Sequence, residues 1–133
     1  MSDLSRLLRS IAGKLDGGVS IRPSEKGALI TFANGRRQLV VILREDRHYV
    51  MVSLVIGASR VQQYGLADLL PRVWLKNRET HCVAFGLDSK HRLVGRINQI
   101  ADTLDREELA YYLLLLAREC DQFEYSLTGQ DIS

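Results

Sequence analysis

The segment from 104 to 129 constrains this chain more than any other, because it specifies one long helix from start to stop. Asp105 is an N-cap residue, Glu108 completes a capping box three positions on, and Leu104 can staple onto Leu109 across the first turn. Residues 106–127 contain neither proline nor glycine, and Gly129 stands just beyond them as a stop signal. At 1.5 Å per residue the helix runs about 33 Å, enough to span a small domain. Leu109, Leu113, Leu116, Cys120, Phe123 and Leu127 form one apolar stripe along it. Tyr111, Tyr112 and Leu115 widen that stripe beyond what one sheet face needs, and they form a candidate partner-binding surface.

The rest of the chain must supply the layer on which this helix packs. Ser2 precedes Leu4, Leu7, Leu8, Ile11 and Leu15 at helical spacing, which predicts a first amphipathic helix ending at Asp16-Gly17-Gly18. Residues 19–22, 28–33, 37–43 and 49–56 are short runs rich in β-branched or aromatic residues and bounded by turn chemistry, so they read as strands. Asn34-Gly35 tolerates the positive φ of a type I′ hairpin, and Glu45-Asp46-Arg47 makes the next turn of an antiparallel meander. Leu66, Leu69, Leu70, Val73 and Trp74 then fit a short helix beginning near Leu70, where Pro71 falls in the first turn. Residues 81–87 and 92–97 flank the polar tip Asp88-Ser89-Lys90-His91 as a further hairpin. The expected fold is α+β in the order α-ββββ-α-ββ-α: an antiparallel sheet of about five to six strands with helices packed on it. With 133 residues and no linker or repeat, the expectation is a single domain over 1–133.

Eighteen basic and sixteen acidic side chains are too nearly balanced to suggest a phosphate-tracking surface, so nucleic acid is not the expected partner. Arg36, Arg37, Arg44 and Arg47 gather around the hairpins and read as a solvated edge that discourages strand pairing. The longest apolar runs, 39–43, 50–56 and 110–117, are far shorter than the roughly 20 residues a membrane span needs. Gly13-Lys14-Leu15-Asp16 interrupts any signal-peptide core, and a cytosolic protein is expected.

Catalytic and metal chemistry would have to come from His48, His81, His91, Cys82 and Cys120, none of which has ligand or nucleophile spacing. Both cysteines read as buried thiols, Cys82 in a strand and Cys120 in a helix. The acid pairs Glu107/Glu108 and Asp121/Glu124 read as capping and solvated helix residues. No cofactor, metal or enzymatic activity is expected. Trp74, among Leu69, Leu70, Val73 and Leu75, belongs either to the core or to an interface.

The order of elements resembles the type III secretion chaperone-like superfamily, which also contains the YbjN-like proteins described as sensory-transduction regulators. The resemblance in sequence is densest from Leu69 to Asp131. It runs through Leu70-Pro71-Arg72-Val73-Trp74-Leu75-Lys76-Asn77, Val83-Ala84-Phe85-Gly86-Leu87-Asp88 and Arg92-Leu93-Val94-Gly95. It closes with Ala117-Arg118-Glu119-Cys120-Asp121-Gln122-Phe123-Glu124 and Leu127-Thr128-Gly129-Gln130-Asp131. The resemblance implies a homodimer that holds a protein segment, with Leu69, Leu70, Val73 and Trp74 as the dimer contact. The expected function is therefore a non-catalytic protein-binding module, chaperone-like or regulatory. The alternative is a regulatory domain enclosing a small molecule between the long helix and the sheet.

Overall fold

A computed structural model describes residues 3–14 and 16–129. The expected cap at Ser2, the apolar contact of Leu15 and the terminal Gln130-Asp131 lie outside the described residues. The chain runs α1 (Asp3–Ser10), β1 (Gly13–Lys14), β2 (Ser20–Pro23), β3 (Gly27–Thr31), β4 (Arg37–Glu45) and β5 (His48–Ile56). It continues through α2 (Ala58–Tyr64), α3 (Leu66–Glu79), β6 (Ala84–Leu87), β7 (Leu93–Ile100) and α4 (Arg106–Thr128). One antiparallel sheet of seven strands results, in the order β1-β2-β3-β4-β5-β7-β6. The two-residue strand β1 is what carries the count past the expected five to six.

α4 follows its sequence signals closely. The Asp105 carboxylate accepts the Glu108 backbone N–H at 2.8 Å, and Gly129 closes the helix in the left-handed conformation with its N–H on the Tyr125 carbonyl. Leu109, Leu113, Leu116, Ala117 and Cys120 are wholly buried. They join Ile30, Val40, Met51, Leu93 and Ile97 of the sheet in one core. Gly95 on β7 permits the close approach: a Cβ there would lie 2.7 Å from the Cys120 sulfur and 2.9 Å from the Phe85 ring. The buried polar pair Gln38 and Ser53 is satisfied locally, Gln38 donating to the Ser53 hydroxyl (2.8 Å) and Ser53 to the Leu39 carbonyl (2.7 Å).

Three local expectations are corrected. The first helix ends at Ser10 rather than at Gly17, because Gly13 adopts φ +122° and the chain turns into β1, which pairs with β2. The middle helix begins at Leu66, after a separate helix α2 and the positive-φ Gly65, so Pro71 sits in its second turn. Burial of Leu69 and Val73, each worth about 1.5–3 kcal/mol, offsets an interior proline's cost of about 3 kcal/mol. Finally, β6 starts at Ala84, not at residue 81. Cys82 has φ +70°, lies before the strand and is exposed, so it is not a buried thiol.

Candidate protein-binding surfaces

α3 is held on its inner side and bare on its outer side. Leu69 and Val73 point into the core at 3% and 8% exposure, whereas Leu70 and Trp74 stand out at 51% and 60%. The four residues read together from the sequence therefore divide between two jobs, and only Leu70 and Trp74 present surface. Leu66 precedes them at the same i, i+4 spacing and is also exposed, giving the stripe Leu66, Leu70, Trp74 on one helix face. The helix is fixed to α4 by the Lys76–Glu119 ion pair (3.0 Å) and by Arg72, which donates to the Ser126 carbonyl. It is fixed to β6 by Asn77, whose amide both donates to and accepts from the Phe85 backbone. The Arg78 guanidinium covers part of the Trp74 ring from 4.9 Å.

The surplus expected on α4 is smaller than its sequence suggests. Tyr111 is exposed, but Tyr112 and Leu115 are half-buried and packed against the core. The Tyr111 and Tyr112 rings meet edge-on with centroids 5.4 Å apart. Burial, with smaller contributions from Cys82, Glu108 and Tyr111, pushes the Tyr112 phenol above its ordinary value.

A larger apolar surface lies on the sheet itself. Side chains alternate across a strand, and in β4 and β5 both alternations are apolar. Val40, Ile42, Met51 and Val55 turn toward α4; Leu39, Val41, Leu43, Val50, Val52 and Leu54 turn away from it. Among the described residues no helix covers that outer face, where Leu39, Leu43 and Leu54 are close to half exposed. The signal was present in the run 38–43, in which no residue after Gln38 is polar, since a meander strand solvated on one face should alternate.

The four hairpin arginines do not form one edge. Arg36 is 4% exposed and bonded to Asp121 and Glu124 of α4, so neither the arginine nor the acid pair is the solvated group expected. Its guanidinium donates to Asp121 at 2.8 Å and reaches Glu124 at 3.3 Å. Burial raises the Glu124 carboxyl above its ordinary 4.5, against the pull of Arg36 and with a further push from Asp121. Arg37 is exposed, and Arg44 stacks over Tyr49 at 5.0 Å.

The three histidines are all exposed, and among the described residues no group of three or more His, Cys, Asp or Glu could hold a metal ion. Cys120, buried and donating weakly to the Ser53 carbonyl, has its thiol pushed up to about 12 by burial, which removes it as a thiolate nucleophile. The space between α4 and the sheet, where a small ligand would be enclosed, is filled by side chains that are wholly buried.

No protein-family model matches the chain, and no curated protein sequence does. Solved structures do. The structure of the ExsC–ExsE complex matches with TM-score 0.59 at 22% identity, covering 93% of this chain and 95% of the matched one. The heterodimeric complex ExoU–SpcU from the type III secretion system of Pseudomonas aeruginosa matches with TM-score 0.55 at 13% identity over 92% and 95%. The chain has the type III secretion chaperone-like fold. Within this chaperone-like fold the helices α1, α3 and α4 gather on one side of the sheet. That arrangement is what leaves the α3 stripe and the outer sheet face bare. No helix among the described residues is long and apolar enough to cross a membrane.

Proposed function

We propose that this protein is a non-catalytic, chaperone-like module of one domain that binds a segment of another protein and works as a homodimer. One observation carries the reading: on this fold, two large apolar surfaces are exposed in a single copy, the Leu66, Leu70, Trp74 stripe and the outer sheet face. Monomeric soluble proteins seldom leave contiguous apolar patches of that kind uncovered, so they mark contact surfaces. The chaperone-like fold supports the same reading, because both matched structures are complexes of two proteins. The α3 stripe suits a second copy of the chain, as a two-fold interface can set the same helix face against itself. The sheet face remains for the partner.

The test is photocrosslinking from within the outer sheet face. A photoreactive residue at position 54, irradiated in extract of the source cells, is expected to give a discrete adduct with one other protein. The same residue at position 89, on an exposed polar tip, should not. Equal labelling from both positions, or none from either, removes the protein-binding reading.

A further inference from the structure

Resting on that protein-binding reading, we propose that the outer sheet face takes a partner segment in which apolar side chains are interspersed with carboxylates. The floor of the site is set by strand register. Leu29 lies opposite Leu39, Val41 opposite Val52, Leu43 opposite Val50, and Leu54 opposite Val94, so apolar pairs tile four adjacent strands. With strands about 4.8 Å apart, this floor is about 15 Å wide, enough for an extended segment or a helix. Val50 and Val94 are almost closed over at 3% and 6%, while Leu39, Leu43 and Leu54 project beyond them.

The rim supplies the charge. Arg22 lies opposite Leu29, Arg37 opposite Thr31 and Arg96 opposite Val52, all on the outer face by strand alternation. Among the described residues no carboxylate forms an ion pair with any of the three. The nearby acids are committed elsewhere: Asp88 to Arg92 at 2.7 Å, and Asp121 and Glu124 to Arg36. Three further acids lie at the ends of these strands, Glu45 opposite His48 and the turn residues Glu25 and Asp46, and among the described residues none of them pairs with Arg22, Arg37 or Arg96. An apolar floor rimmed by uncommitted guanidinium groups complements leucine-like side chains flanked by carboxylates, which arginine pairs in bidentate fashion. A second copy is a poorer occupant of this face, because a two-fold contact would bring the same three arginines together. Strand addition at the β6 edge is hindered as well, since Asn77 already occupies both backbone groups of Phe85.

The experiment uses three labelled synthetic peptides with leucine at the same positions and glutamate, serine or lysine between them, titrated against the intact protein by fluorescence anisotropy. The glutamate peptide is expected to bind at least about tenfold more tightly than the lysine peptide at low salt, with the gap narrowing as salt rises. The double variant Arg37→Glu/Arg96→Glu should invert that order. Leu39→Ser/Leu54→Ser should weaken all three peptides about tenfold while leaving the circular dichroism spectrum unchanged. Equal affinity for the glutamate and lysine peptides overturns the carboxylate chemistry yet leaves the protein-binding reading to its own crosslinking test. Binding of none of the peptides removes this face as a segment site. A halved mass for Leu39→Ser/Leu54→Ser shows that a second copy is the occupant and overturns the proposal too.

Discussion

Asn77 on α3 acts as a surrogate strand for Phe85 on β6: its amide oxygen accepts the Phe85 N–H at 2.8 Å and its amide nitrogen donates to the Phe85 carbonyl at 3.0 Å. β6 is one edge of the sheet, β1 being the other, and Phe85 would otherwise offer both groups to a passing strand. One side chain thus joins helix to sheet and closes the edge.

Removing that amide should cost stability and expose the edge together. Asn77→Ala is expected to lose about 1–3 kcal/mol, the range for part-buried backbone groups left without partners. It should also make the protein form species larger than the dimer as concentration rises. Chemical denaturation gives the first quantity and sedimentation the second; Asn77→Asp, which keeps only the acceptor, should fall between the two.

Gly95 is required by packing rather than by backbone conformation. In Gly95→Ala the new methyl must displace the Cys120 sulfur, the Phe85 ring or Leu116, and overpacking of this kind costs about 1–3 kcal/mol. Cys120→Ala removes the nearest of these atoms, so the double variant should be more stable than the sum of the single losses predicts. A thiol reagent offers a second readout. In the native parent it should label the exposed Cys82 and spare Cys120, whose buried thiol is pushed up to about 12. Gly95→Ala should speed labelling of Cys120.

The Arg36 cluster makes stability depend on pH in an unusual direction. Burial raises the Glu124 carboxyl above 4.5, so between that value and its higher folded value the native state binds more protons than the unfolded chain. Stability contributed by this group is therefore present at lower pH and lost as pH rises through the window. Glu124→Gln should flatten that part of the profile and stay within about 1 kcal/mol of the parent at neutral pH, since a neutral amide avoids the burial penalty. Arg36→Ala should cost about 3 kcal/mol or more, because it leaves two carboxylates facing each other at the sheet edge of α4. Thermal melts of both variants across acidic and neutral pH check the two signs.

What the sequence disclosed, and what it withheld, follows from range. α4 was legible because Asp105 and Gly129 act within a few residues of the backbone they cap, although the Glu108 side chain does not return the bond of a capping box. The β3–β4, β4–β5 and β6–β7 pairings were legible because hairpins are local, whereas the pairing of β5 with β7, across α2 and α3, was not. Arg36 with Asp121 was not, since the partners are 85 positions apart and each looks solvated in its own segment. The left-handed Cys82 went unseen because a β-prone run conceals a single positive φ. The outer sheet face is visible in principle in 38–43, where alternation is missing, but a single strand's pattern does not say whether a second layer covers that face. Leu69 and Val73 were grouped with Leu70 and Trp74 because adjacency in sequence was allowed to stand for a shared face. Helical geometry separates them.

That separation yields the sharpest prediction for the homodimer. Trp74 is 60% exposed and its ring contact is with Arg78 of its own helix, a stacking worth about 0.5–1 kcal/mol at exposed sites. Trp74→Ala and Leu70→Ala should therefore keep the parent's melting temperature at low concentration, within the small shift such losses imply. By light scattering the parent should weigh twice 15.0 kDa, and both variants should fall to the single-chain mass at matched concentration. Leu69→Ala differs in kind: it empties core volume and should cost about 2–5 kcal/mol whatever the state of assembly. If the parent is a single chain at micromolar concentration, or if Trp74→Ala remains a dimer, the α3 stripe is not the dimer contact.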